Sequence, residues 1–236
     1  MAEKHYCAGA VLPWTNGLSA DVASGDLVLV SDLAGIALGD IDDGDDGLLA
    51  IEEVWALPVL PLESITQGSR IYHTDGHGLL STGVADAATW VADTAYDVGD
   101  YVIPTTPNDH YYLCVLAGTS ATPTEPTWPE DGDIVTDGTA VWLDMGDIQD
   151  IGIAFAPVTG VDGDVWVAST AYAEDDLVVP VKPNGHYYKC IDHGEGADGD
   201  SDSSEPDWPT DGTTVADNEV TWQDMGLVMA QVKLNA

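Results

Sequence analysis

Residues 90–118 read WVADTAYDVGDYVIPTTPNDHYYLCVLAG, and residues 166–194 read WVASTAYAEDDLVVPVKPNGHYYKCIDHG. The second stretch begins 76 residues after the first, and that offset aligns Trp90 with Trp166, Tyr96 with Tyr172 and Pro104 with Pro180. It also aligns His110 with His186, Tyr112 with Tyr188 and Cys114 with Cys190. After a four-residue insertion in the acidic stretch DHGEGADGDSDSSE, the match resumes at an offset of 80. There EPTWPEDG (125–132) faces EPDWPTDG (205–212), and the pair AVWLDMG and EVTWQDMG closes at Gly146 and Gly226. Self-similarity at a fixed period marks a duplicated structural unit. Each copy is a chain of short apolar runs broken by Gly, Pro, Asn and Asp, which predicts strands and turns. In YVIP and LVVP the proline ends a β run because it has no N–H to give to a ladder. HYYLCVL and HYYKCI carry the aromatic and branched side chains that suit a pleated sheet.

Outside the repeats the chain reads as a second kind of β structure. LVLV (27–30), GIAL (35–38), GLLAIEEVWALP (47–58) and RIYH (70–73) are strand candidates separated by Gly/Asp turns. Only a short segment near Leu60 to Ile65 has helical spacing. DIGIAFAPVTGVDGD lies between the repeats. After the second, Val228, Ala230, Val232 and Leu234 alternate with Met229, Gln231, Lys233 and Asn235, the pattern of a half-buried strand. The expected architecture is therefore all-β: a small core domain, residues 1–86, 147–164 and 227–236, interrupted by homologous modules at 87–146 and 165–226. Insertions of this kind are tolerated at surface loops because the core strands still pair.

The charge limits the partners. Forty-two Asp and Glu stand against five basic residues, Lys4, Arg70, Lys182, Lys189 and Lys233, for a net charge of −37. So few cations cannot neutralise a phosphate backbone or an anionic lipid surface, so neither nucleic acid nor membrane is expected as a partner. With 44% hydrophobic residues the chain can still bury a core. A dispersed acidic surface serves as a calcium sponge, a solubility device or an adaptation to molar salt. The last is favoured, because at about 1 M salt the Debye length is only about 3 Å and like charges are screened. The N-terminal MAEKHYCAGA has no basic and apolar leader pattern, and no run approaches a membrane span. Synthesis in the host cytoplasm is the expectation.

The core segments resemble the capsid-cement, or head-decoration, proteins of tailed bacteriophages. The opening G-D-x-V-x-V pattern maps to Gly25–Val30, the glycine-to-proline middle to Gly47–Pro58 and the next strand to Gly68–Tyr72. IGIAFAP and the closing VKLN complete the series. The resemblance implies a small β-barrel or β-tulip fold that binds the major capsid protein on the outer surface of the virion, often as a homotrimer, with no active site and no cofactor. The duplicated segments are similar to small chitin- and cellulose-binding modules of secreted hydrolases. That pattern fits Trp90, Thr94, Tyr96, Asp100, Val102, Tyr112, Cys114 and Trp142, and their counterparts from Trp166 to Trp222. The exposed aromatic pair of that family is missing. Trp128 and Trp208, in E-P-x-W-P, stand nearest to it.

Two functions from different classes follow: a structural decoration protein of a tailed virus with a halophilic host, displaying two outward modules, and a carbohydrate-binding adhesin for host or surface glycans. Trp128 and Trp208 are the candidate carbohydrate-binding residues, either as exposed platforms for a sugar ring or as loop anchors held between flanking prolines. The Trp90/Trp142 and Trp166/Trp222 pairs are expected to be buried and Trp128 and Trp208 more exposed. No metal site is expected. His73, Asp75 and His77 in HTDGH lack an identifiable further ligand, and the Asp clusters lack calcium-loop spacing. His110 and His186 read as turn residues, and Cys114 and Cys190 as buried thiols. No catalytic residue is assigned.

Overall fold

The computed structural model describes residues 10–74, 77–194 and 199–236, without the side chain of Val84. Among these residues the regular structure is β, with one 3₁₀ turn at Gly83–Asp86 and no α-helix. The all-β expectation is met. Leu60–Ile65 forms no helix: Leu60 N–H bonds the Leu80 carbonyl (3.0 Å) and Ile65 bridges Val158. Pairing with distant strands overrides the local spacing.

The N-terminal half opens with a four-stranded antiparallel sheet. Its spatial order is Val11–Thr15, Asp46–Ala50, Leu33–Ala37, Leu27–Val30. The stretch GLLAIEEVWALP does not continue as one strand. Glu53 sits at φ 80°, and the chain turns there, so that Val54–Pro58 joins a different sheet. That central sheet is antiparallel and five-stranded, ordered Val54–Pro58, Met229–Leu234, Ile148–Ala154, Arg70–Thr74, Leu80–Ser81. Its members come from three separated stretches, and the last strand of the chain lies in its interior. The alternation there is as expected, with Ala230, Val232 and Leu234 buried and Met229, Gln231 and Lys233 exposed.

The two sheets share one apolar core. Ala34 and Ile36 from the first meet Leu57, Ile71, Ile151, Val232 and Leu234 from the second. The Asn235 side chain ties them further: its Oδ1 accepts from Ala34 N–H (3.1 Å), and its Nδ2 donates to the Ala34 and Ile51 carbonyls.

The two repeats fold alike. Copy 1 is a five-stranded sheet ordered Ile134–Asp137, Ala140–Asp144, Tyr112–Leu116, Tyr101–Ile103, Ala88–Thr89, whose last pair is parallel. Copy 2 has the same order: Thr214–Asp217, Val220–Leu227, His186–Asp192, Leu177–Val179, Asp164–Val165. A small strand pair accompanies each, Ala95–Tyr96 with Gly118–Thr119 and Ala171–Tyr172 with Gly199–Asp200.

One turn recurs three times. The Asp26, Asp100 and Asp176 carboxylates each accept the backbone N–H three residues earlier, at 2.8 Å. The residue before each, Gly25, Gly99 or Asp175, has positive φ, which the tight turn requires.

The copies differ in what covers one side of the sheet. In copy 1, Tyr101, Leu113, Val115, Leu143 and Met145 are buried against Leu60 and Leu79 of the cement-like segments. The aligned residues in copy 2 are Leu177, Lys189, Ile191, Gln223 and Met225. None of these is buried, and Ile191 and Met225 are 41% and 43% exposed. Hydrophobic burial is worth about 1.5–3 kcal/mol per large side chain, so replacing leucines by Lys189 and Gln223 removes the drive to dock this side. Copy 2 instead reaches the junction through Val165 and Val181.

Candidate functional site

The repeated residues build the same aromatic cradle twice. Trp142 and Trp222 lie at its floor, fully buried, with Trp90 and Trp166 buried beside them. Tyr96 and Tyr172 meet the floor edge-on, with ring centroids 4.8 and 4.9 Å away. Trp128 and Trp208 lie across Tyr112 and Tyr188 at 4.3 Å in both copies, tilted 38° and 37°. Such offset aromatic pairs add about 0.5–1.5 kcal/mol beyond area burial. Trp128 and Trp208 are half-buried, so they are more exposed than the other four.

The loop carrying each outer tryptophan is fixed by polar contacts. Glu125 accepts from the Trp128 indole N–H (2.9 Å), the Thr105 amide (2.8 Å) and the Thr105 hydroxyl. Burial opposes charge on Glu125, but the Thr105 and Trp128 hydrogen bonds win and hold its carboxyl below the usual range. Glu205 does the same for Trp208 (2.9 Å) and the Val181 amide (2.8 Å). Tyr112 and Tyr188 donate to the Pro129 and Pro209 carbonyls at 2.8 Å and accept from Asn108 and Asn184. Burial pushes both phenols up to about 12. Each E-P-x-W-P loop is thus a rigid ledge with one partly exposed indole.

Two buried carboxylates per copy hold the cradle together, and sequence reading did not single them out. Asp137 Oδ2 accepts the indole N–H of both Trp90 (2.8 Å) and Trp142 (3.1 Å), while Oδ1 accepts the Ala121 amide (2.7 Å). Asp217 repeats this with Trp166 (2.8 Å), Trp222 (2.9 Å) and the Asp202 amide (2.8 Å). Buried polar oxygens are tolerated where donors fill their acceptor sites. Their recurrence just before the turn that leads into the last strand of each copy is the signal that could have found them.

Asp144 and Asp224 form the second set. They bond His110 Nδ1 (2.8 Å) and His186 Nδ1 (2.7 Å), and each accepts two glycine amides, Gly132 and Gly146 in one copy and Gly212 and Gly226 in the other. Burial disfavours charge on Asp224, yet His186 and the two amides hold its carboxyl below the ordinary value. With both oxygens committed to ring and backbone, these pairs fix turns, as expected of His110 and His186.

Of the remaining sequence candidates, Cys114 and Cys190 pack within the apolar clusters of the cradle, and His77 meets it at Asp144. His77 Nε2 lies 3.0 Å from the Asp144 carbonyl, and burial lowers its pKa against the opposing pull of that carbonyl. Asp75 is outside the described residues, as are Cys7 and Lys4. Cys114 and Cys190 are buried and unbridged, and burial raises their thiols to about 12 and about 11. Among the described residues no three His, Cys, Asp or Glu side chains group as metal ligands.

A family model described as phage cement protein matches residues 6–110. The match covers the four-stranded sheet, the first strands of the central sheet and the opening of copy 1 as far as His110. It supports a capsid-cement core. No curated protein and no solved structure matches the chain.

Proposed function

We propose that this chain is a structural, non-enzymatic virion protein that decorates the capsid of a tailed virus of a halophilic host. The observation that carries this reading is the cement-protein match over residues 6–110. The core domain, residues 1–86, 147–164 and 227–236, binds the major capsid protein at the outer surface of the head as a homotrimer. Residues 87–146 and 165–226 are inserted modules. Two features favour this. The central sheet can close only after both repeats have been made, because its interior strand is Met229–Leu234. Each repeat in turn carries its own buried tryptophan cluster. The charge of −37 fits a particle assembled in molar salt. Quantitative protein composition of purified virions tests the role. The expected result is a chain present in fixed proportion to the major capsid protein, and its absence from particles, or recovery only with detached tails, overturns it.

The second reading, a carbohydrate-binding adhesin, draws on the two rigid ledges. A partly exposed indole held by Glu125 or Glu205 and backed by a tyrosine is a pre-organised stacking surface for a sugar ring, and many copies on one particle would compensate weak sites through avidity. Glycan-array binding by the whole protein, lost in a Trp128→Ala/Trp208→Ala variant that remains folded, supports this reading. Equal signals from the two proteins exclude Trp128 and Trp208 as the site.

A further inference from the structure

The outward side of the central sheet differs from the rest of this acidic molecule. Strand register sets Val54, Lys233, Ile153 and Arg70 side by side in one row across four strands. Paired residues of antiparallel strands project from the same side. The next row holds Ala56 and Gln231, and Phe155 lies alongside, its amide bonded to the Gln231 carbonyl at 2.7 Å. The alternate positions, Leu57, Ile71, Ala230 and Val232, form the core, so these rows face solvent. Phe155 is 51% exposed, and Val54 and Met229 are exposed as well. Two of the five basic residues stand here, and no carboxylate stands in either row. Arg70 is already bridged to Asp150 at 3.1 Å and donates to the Ala236 carbonyl at 2.7 Å, and Glu52 lies two residues before Val54. Lys233 is therefore the cation this side offers without an ion pair among the described residues.

A second apolar patch has the opposite rim. On the four-stranded sheet Pro13 pairs with Leu48, and the Leu38 amide bonds the Leu48 carbonyl at 3.0 Å. They continue the side on which Ile36 and Ala50 are buried, but Leu48 and Leu38 are 50% and 47% exposed. Asp46 occupies the next row and Asp40 lies two residues past Leu38.

We propose that the protein associates with itself head to tail, the Lys233–Phe155 side of the central sheet in one copy against the Pro13–Leu38–Leu48 patch, with its Asp40 and Asp46 rim, in the next. Like-with-like pairing sets Lys233 against Lys233, or Asp40 and Asp46 against themselves. Only the unlike pairing matches charge as well as apolar area. Two different surfaces meeting head to tail close into a ring when the rotation permits, and this assignment rests on the homotrimer reading above. In molar salt the charges select the orientation and the apolar groups carry most of the affinity.

Sedimentation of the full-length protein in molar potassium chloride tests it. The wild type should be oligomeric, and Phe155→Asp and Leu48→Asp should each weaken association at least about tenfold, as loss of a central anchor does. Each variant keeps one intact surface, so an equimolar mixture of the two should form dimers that neither forms alone. Near-UV circular dichroism verifies folding, and Met229→Glu and Leu38→Glu replace any variant that fails it. A wild type that stays monomeric overturns both the trimer reading and the contact. An oligomer unaffected by the variants, or a mixture that stays monomeric, overturns the contact and leaves the trimer reading standing.

Discussion

Replacing Asp217 by alanine should unfold copy 2 while leaving copy 1 intact. The carboxylate is the shared acceptor for the Trp166 and Trp222 indoles and for the Asp202 amide, and it is buried. Alanine leaves three donors without an acceptor, each costing about 1–3 kcal/mol when buried, so the loss should be roughly 3–6 kcal/mol once some water entry is allowed. Asp217→Asn should cost less, about 1–3 kcal/mol, because the amide oxygen still accepts while its NH₂ opposes one donor. The assay is chemical unfolding in molar salt followed by tryptophan fluorescence, with the indole N–H resonances of copy 2 read by NMR. Asp137→Ala gives the matched control, since copy 1 is also buttressed by Leu60 and Leu79. A loss below about 1 kcal/mol for Asp217→Ala would mean that water replaces the carboxylate and that the shared acceptor does not hold the cradle.

Other perturbations follow from the same contacts. Lowering salt from molar to dilute should reduce the melting temperature, by about 2–4 °C for each kcal/mol of repulsion unmasked in a chain of this size; a melting point flat across the range contradicts the halophilic reading. The Asp224 carboxyl is held below its usual 3.8 in the folded state, so its contribution is complete above that value and disappears as pH falls through the folded one. Unfolding free energies across acid pH should therefore drop below 3.8, and Asp224→Asn should flatten part of that drop. Asn235→Ala should cost about 1–2 kcal/mol and speed amide exchange at Ala34, because its three hydrogen bonds join the two core sheets.

Much of the fold could be read from periodicity. The alternation from Val228 to Leu234 marked a half-buried strand, and the offset of 76 and then 80 residues matched two sheets of identical order. The burial of Trp90, Trp142, Trp166 and Trp222, and the greater exposure of Trp128 and Trp208, followed from their places at the ends and in the proline loop of each repeat. What escaped the sequence was long-range. Glu53 at positive φ divides an apparently continuous β run between two sheets, and no local pattern announces it. Asp137 and Asp217 are chemically ordinary among 42 acidic residues until folding brings two indoles to each. The docking of copy 1 depends on Leu113 and Leu143 meeting Leu60 and Leu79, while the aligned Lys189 and Gln223 leave copy 2 open.

A reconstruction of the intact virion by electron cryomicroscopy tests the central claim most directly. The expected map places this chain on the outside of the head, with the core domain against the major capsid protein and both repeats projecting away from the shell. Density for the chain confined to the tail, or beneath the capsid floor, contradicts it.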